Sequence, residues 1–414
     1  MTESASIIDK LHHVLKETDG LADRVERSLV AAHAKAQAEL NPAVFDALDW
    51  PTDLAAYDKY LQGFLRWIPQ QSDADAWKQP AAKERFAKEV SVRLGHFFFL
   101  IDQKVDDGDT VIAENSEAFA AWLTAYTREW GEFLDTPDSF DDQILDSFLR
   151  DAPEYTIEES LVNARANMPS GWVTFNQFFA RELNAGLRPI AEPATNLVLT
   201  SPADCSFEHR FDIDENSQIP AIEVKTTHRY GSIAQLLGDS EYGDRFAGGT
   251  FVHYMLPPSA YHRFHSPVAG LVKETFVTTG RVYMQVDIED HELKSRDNSE
   301  SGYEFFQTRG VVTVVTVDTS GSDAGYLGMV AMVPVGMSQV ASVVLTATAG
   351  KPLAKGVEFG YFQFGGSDMI LLFEAGVIDD LDTGKSLRHV GSVIGRCRTI
   401  DQALGRSAAT RTVQ

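Results

Sequence analysis

The spacing of apolar residues changes once along this chain, and that change confines the fold to helices before about residue 165 and sheet after it. Ile7, Ile8, Leu11, Val14 and Leu15 recur at helical spacing, and Leu21, Val25, Leu29 and Val30 repeat the stripe after Gly20. Asn41-Pro42 and Trp50-Pro51-Thr52-Asp53 interrupt it, the second reading as a helix start. Tyr57, Tyr60, Leu61, Phe64 and Leu65 then line one face, and 97-FFFLIDQKV-105 and Phe119 to Phe133 give further stripes. A helix is expected from Thr174 to Leu183, ended by Asn184 to Gly186. Beyond it β-branched residues and glycine rise, with strands expected at 221–227, 250–256, 271–277, 311–317, 326–335 and 340–346. The fold class is therefore α+β. A helical domain covers residues 1–165, a β-rich domain of folded-over antiparallel sheets covers 166–400, and 401–414 form a mobile tail.

Composition narrows the function classes. A net charge of −24 over 414 residues argues against a nucleic-acid partner and against polybasic attachment to anionic lipid. The opening MTESASIIDKLHHVLKETDG lacks the apolar core of a signal peptide, and no run reaches the ~20 apolar residues that cross a bilayer. Cys205 and Cys397 are the only cysteines, too few for a disulfide framework or a cysteine-based metal cage. The expectation is a cytoplasmic protein with reduced thiols and no integral membrane segment.

Three stretches of the second half hold residue types suited to chemistry. In 359-FGYFQFGGSDMILLF-373, Gly365-Gly366-Ser367-Asp368 reads as a hairpin turn between two strands, and the paired glycines give Ser367 unusual backbone freedom. In 201-SPAD-204 the bland reading of Asp204 is a turn residue bonding its own backbone. In 253-HYMLPPSAYHRFHSPVAG-270, His253, His262 and His265 lie among prolines that oppose a metal-binding helix, and no metal site is expected. Asp204, His265 and Ser367 form a set that could activate a hydroxyl, so a serine hydrolase is one open reading. Against it, Met369 stands where a nucleophile elbow needs glycine, and a strand rather than a helix is expected after the serine. A short echo, 201-SPADCSFEH-209 against 266-SPVAGLVKE-274, points to two related Ser-Pro turns feeding strands.

Four segments taken together, 178-FFARELNAGLRPI-190, 201-SPAD-204, 261-YHRFHSPVAG-270 and 360-GYFQFGGSDMILLF-373, resemble the phosphatidylserine decarboxylase family of pyruvoyl enzymes. The resemblance spans roughly residues 170 to 377 and makes 166–400 a decarboxylase domain. It implies that Ser367 attacks the preceding carbonyl and that the chain splits between Gly366 and Ser367, the two pieces staying associated. The former serine becomes a pyruvoyl group, which removes a substrate carboxylate through a Schiff base with no external cofactor or metal. Asp204 and His265 match the family's acid and base for self-processing, and His262 matches a histidine implied in turnover.

Two positions depart from the family pattern: Cys205 replaces a usual glycine and Asp368 a usual threonine or serine. The Asp368 carboxylate would either assist proton removal at Ser367 or oppose an oxyanion there; both readings stand at this stage. The acidic helical half resembles the soluble branch that includes L-tryptophan decarboxylases, which makes a soluble aromatic amino acid the favoured substrate and phosphatidylserine the alternative. A non-enzymatic carrier, suggested by 350-GKPLAKGVEFG-360, would need an exposed lysine at a hairpin tip, where this chain has Gly-Gly-Ser-Asp.

Overall fold

The computed structural model describes residues 5–72, 74–77, 89–105, 116–224, 228–295, 305–316, 325–337, 342–403 and 405. In the first part each apolar stripe becomes a helix, and the polar residue before it is the cap. Ser6 and Asp9 form a reciprocal capping box ahead of Ile7–Glu17. Asn41 caps Pro42–Asp46, Asp53 caps Leu54–Phe64, and Ser116 caps Glu117–Leu134. Leu21–Glu39, Glu89–Phe99 and Asp142–Asp151 complete the main helices. Two of their buried aromatics keep their polar tips bonded: Tyr126 Oη donates to Leu61 O (2.7 Å) and Trp130 Nε1 to Trp67 O (2.8 Å).

The second part is built on a seven-stranded antiparallel sheet. Its spatial order is Pro352–Leu353, Gly270–Thr278, Arg309–Thr316, Met329–Met337, Gly366–Phe373, Thr250–Leu256, Ser206–Asp212. One face packs on two three-stranded sheets, Val343–Leu345 with Glu358–Phe362 and Arg263–His265, and Ile378–Leu381 with Val393–Cys397 and Val198–Thr200. Leu371, Val252, Phe264, Phe359 and Ile394 fill the space between them. The other face is covered by the helix Ile233–Leu237 together with Ile213, Ile219 and Phe246. Side chains alternate along the sheet, so Met369, Leu371 and Phe373 belong to the first core and Ile370 and Leu372 to the second.

Several expectations are corrected. Gly365-Gly366-Ser367-Asp368 is not a hairpin turn. Glu358–Phe362 and Gly366–Phe373 lie in different sheets, and Ser367 and Asp368 already sit inside a central strand. The chain turns a corner at Gly365, whose φ of +153° is a glycine conformation. The helix expected over 174–183 is only Phe175–Phe179, because the Arg263 guanidinium takes the Ala180 carbonyl (2.8 Å) and Arg181 turns inward. The stripe 97–105 contributes helix only to Phe99, and the strand expected from 326 begins at Met329. Residues 225–227, 317 and 340–341 of expected strands, and 404 and 406–414 of the expected tail, lie outside the described residues. Within that tail stretch 401–403 are helical, closing Ile400–Ala403.

Helices and sheet share a core. The cluster centred on the first helices also takes in Phe175, Phe178, Phe179, Val282, Tyr283, Val286 and Phe364. Trp130 meets Phe364 edge to face with centroids 5.7 Å apart, three residues ahead of Ser367. The segment leading into the central strand is thus anchored on the helical part.

Candidate active site

Ser367 opens the central strand, paired with Leu256 on one side and Gly336 on the other, and is buried. Its hydroxyl lies 3.1 Å from Nδ1 of His262. The loop that follows the Thr250–Leu256 strand carries this histidine, and its other nitrogen, Nε2, lies 3.0 Å from Pro258 O. A carbonyl only accepts, so Nε2 carries the proton, Nδ1 keeps its lone pair, and the Ser367 hydroxyl donates to it. The ring is stacked on Phe179 (centroids 4.0 Å, planes 21° apart). Burial pushes His262 down to about 3, a shift opposed by the Pro258 hydrogen bond and reinforced by the Arg181 charge. His262 is thus a neutral acceptor that fixes the direction of the serine hydroxyl.

The other expected members, Asp204 and His265, bond elsewhere. Asp204 accepts two contacts from Arg188 Nε (3.0 and 3.1 Å), one from Arg188 Nη2 (2.7 Å) and one from Val390 N (2.8 Å), with His389 Nδ1 at 3.0 Å. His265 donates from Nδ1 to Gly356 O (2.9 Å) and faces the Tyr261 hydroxyl with Nε2 (3.2 Å). Burial lowers its pKa, and the Asp204 charge acts against that lowering without a hydrogen bond between the two. The linear Asp204–His265–Ser367 relay of a serine hydrolase is therefore not formed, and the strand after Ser367 leaves no nucleophile elbow. Nor is Ser367 at an exposed hairpin tip, as a carrier would require.

The two Ser-Pro turns do resemble each other. Ser201 Oγ donates to Ala203 O (2.8 Å) and Ser266 Oγ to Val268 O (2.6 Å), the same two-residue reach. They touch through His265 N, which donates to Pro202 O (2.7 Å), bringing 201–204 and 262–266 together.

Strand alternation decides where Asp368 points. Ser367 shares a face with Met369, and Asp368 shares the opposite face with Ile370. There its carboxylate lies 3.1 Å from Nε2 of His253 on the neighbouring strand, both side chains fully buried. Cys205 is also buried, its thiol pushed up to about 12 by burial, and its backbone pairs with Arg388. Among the described residues no group of three or more His, Cys, Asp or Glu side chains is arranged to hold a metal ion. No described helix is long and apolar enough to cross a membrane.

Sequence reasoning did not place Arg181 among the site residues. Its guanidinium is 2% exposed and donates from Nη2 to Tyr155 O (2.5 Å), while Nε and Nη1 have no hydrogen-bond partner among the described residues. Burial pulls its pKa down to about 10. The residue stood in the FFARELN segment, where spacing gave no hint that a cation two residues past Phe179 turns inward.

Comparison with known proteins supports the assignment. The family model described as phosphatidylserine decarboxylase matches residues 175–396, a range that holds Arg181, Asp204, His262, His265 and Ser367. The chain is 32% identical over 243 residues to phosphatidylserine decarboxylase proenzyme 2 of Oryza sativa subsp. japonica, covering 58% of this chain and 35% of that one. It is 35% identical over 219 residues to proenzyme 3 of Schizosaccharomyces pombe, covering 51% and 20%. The proenzyme of Chlamydia caviae is 34% identical over 239 residues, covering 58% and 72%. The match thus spans about a third and a fifth of the two longer relatives, and nearly three quarters of the chlamydial one. With the family model matching more than half of its length, the chain belongs to the phosphatidylserine decarboxylase family.

Proposed function

We propose that the chain is the precursor of a pyruvoyl-dependent decarboxylase that acts on phosphatidylserine. The observation that carries this reading is the buried Ser367 hydroxyl held 3.1 Å from a neutral His262 nitrogen, immediately after Gly366. In self-processing, Ser367 Oγ passes its proton to His262 Nδ1, which relays it to the departing amide nitrogen, and Oγ bonds to the Gly366 carbonyl carbon. The amide C–N bond breaks, leaving an ester and a free amine on residue 367. Loss of the residue 367 Cα proton then expels the Gly366 carboxylate and leaves a dehydroalanine. Water replaces its nitrogen as ammonia, giving a 366-residue chain and a 48-residue chain that begins with a pyruvoyl group. The acid and base roles implied by the family fall on Asp204 and His265; here His265 Nε2 faces the Tyr261 hydroxyl, and the Asp204 charge acts on the ring without a hydrogen bond.

The group fits where it would form, since it derives from Ser367 itself and needs no space beyond that side chain. Its carbonyl supplies the electron sink for carbon dioxide loss. His262 Nδ1 faces residue 367 and is placed to hold or return a proton there. The short chain stays bound because its first strand is laddered on both sides and Val393–Cys397 pairs with Val198–Thr200.

For the substrate, the names of the matched relatives specify phosphatidylserine, and none supports the soluble aromatic amino acid expected from the acidic helical half. Arg181 adds a physical argument. A buried guanidinium with two unbonded nitrogens suits an incoming phosphodiester. It suits a departing carboxylate poorly, because a cation bound to that carboxylate opposes its leaving as neutral carbon dioxide. Carbon dioxide release measured with dispersed phosphatidylserine, L-tryptophan and L-serine tests this. Release from the lipid is expected, and release from an amino acid alone would overturn it.

A further inference from the structure

A cavity of about 550 Å³ opens in the helical part, between the 49–67 segment and the helix Glu89–Phe99, and neither Ser367 nor His262 lines it. Its walls are Trp50, Tyr60, Phe64 and Trp67, and Asp49, Lys59 and Arg93 also line it. That size and that mixture of aromatic surface with a few polar groups are those of a small-molecule site. Asp49 and Lys59 are exposed, and neither forms an ion pair among the described residues. Arg93 is bonded to Glu89 (2.8 Å).

His96 is the second observation. It lines the cavity at 2% exposure, and among the described residues Nε2 meets no partner in hydrogen-bond geometry, although the Asp49 backbone acts on the ring. Its Nδ1 lies 3.3 Å from the Tyr60 hydroxyl, and its ring is set edge-on to Trp50 (4.6 Å) and to Tyr60 (5.5 Å). A buried polar atom without a partner carries a free-energy cost unless something arrives to bond it. Burial holds this imidazole down at about 3, so it meets a ligand as a neutral donor or acceptor.

We propose that this cavity binds a small amphipathic zwitterion, with its apolar body on the aromatic walls, its ammonium group at Asp49 and its anionic group at Lys59. The ring faces also attract an ammonium, and Asp49 fixes which end it takes. Two sources share this chemistry, a free aromatic amino acid and the head of a short aminophospholipid. The site is separate from the reaction proposed at Ser367 and does not depend on it.

Gly63 supplies the test. It lines the cavity from the helix Leu54–Phe64, and a Cβ there would meet no atom within 4 Å. Gly63→Leu therefore starts its side chain in open space at the cavity wall, adds apolar bulk there and raises helix propensity. Binding is measured by calorimetry on the full-length Ser367→Ala chain, which cannot form a pyruvoyl group, with L-tryptophan and with monomeric dihexanoyl phosphatidylethanolamine as probes. Saturable binding of at least one probe is expected, weakened more than tenfold by Gly63→Leu at an unchanged or higher melting temperature. Asp49→Asn and Lys59→Gln, both at exposed positions, should each weaken it as well. The probe that binds identifies the source. Absence of saturable binding by both probes, or equal binding by the Gly63→Leu chain, would overturn the proposal.

Discussion

Replacing Asp368 tests whether its carboxylate serves the cleavage site or the far face of the sheet. In the structure it points away from Ser367 and lies 3.1 Å from His253 Nε2, with both side chains at 0% exposure. Deleting one member of a buried polar pair leaves the other without that contact, at a cost of about 1–3 kcal/mol. Asp368→Ala in a Ser367→Ala chain should therefore lower stability by that amount, read from the shift in a urea unfolding curve. Replacing both partners by apolar residues, His253→Leu with Asp368→Leu, removes the stranded group and should recover most of the loss. In the Ser367 chain, the near-isosteric Asp368→Asn should change the self-cleavage rate by less than about tenfold, a barrier change under about 1.4 kcal/mol. The reasoning fails if Asp368→Asn leaves stability intact yet alters cleavage by more than that. It also fails if the double replacement is as damaging as the sum of its parts.

Three further outcomes follow from the same geometry. His262→Phe keeps an aromatic ring against Phe179 but deletes the nitrogen facing residue 367, so carbon dioxide release should fall by about 10²–10⁴-fold; unchanged release would remove His262 from the chemistry. His96 and His262 are both held near 3 when folded and return to about 6.5 when unfolded, so the unfolded chain binds more protons below that value. Stability should thus be fully present above pH 6.5 and fall towards pH 3, each histidine contributing up to about 1.4 kcal/mol per pH unit. Adding His96→Phe should flatten the pH 7 to pH 5 difference in urea midpoint, and an unchanged slope would contradict the assignment. Arg181→Met should raise KM for phosphatidylserine far more than it lowers kcat, and a loss confined to kcat would exclude a role in binding.

What was legible in the chain was whatever local chemistry decides. Trp50-Pro51-Thr52-Asp53 announced a helix start because Asp53 caps an amide three residues on, whereas Asn41, read only as a break, turns out to cap the helix that follows it. The β-branched runs announced strands, and the Ser-Pro echo reported a real similarity of two turns, since each serine bonds a carbonyl two residues on. The Gly-Gly-Ser-Asp stretch was misread for the opposite reason. A hairpin rule looks at neighbours in sequence, whereas this strand pairs with residues 250–256 and 329–337. The His262–Ser367 contact crosses 105 positions, and the inward turn of Arg181 depends on a carbonyl 26 positions earlier. Residue type offered three histidines and no means of ranking them. Only the fold shows that His262 meets Ser367, His253 meets Asp368, and His265 meets Tyr261 and Gly356.

The central claim is that the bond between Gly366 and Ser367 breaks by the action of its own serine. Intact mass of the purified full-length protein, beside that of Ser367→Ala, tests it most directly. The account predicts two chains, of 366 and 48 residues, the shorter one starting with a carbonyl-bearing group that carries no free amine. It also predicts one uncut chain for Ser367→Ala. A single 414-residue chain with serine intact at position 367, or a Ser367→Ala chain still cut at the same bond, would contradict it.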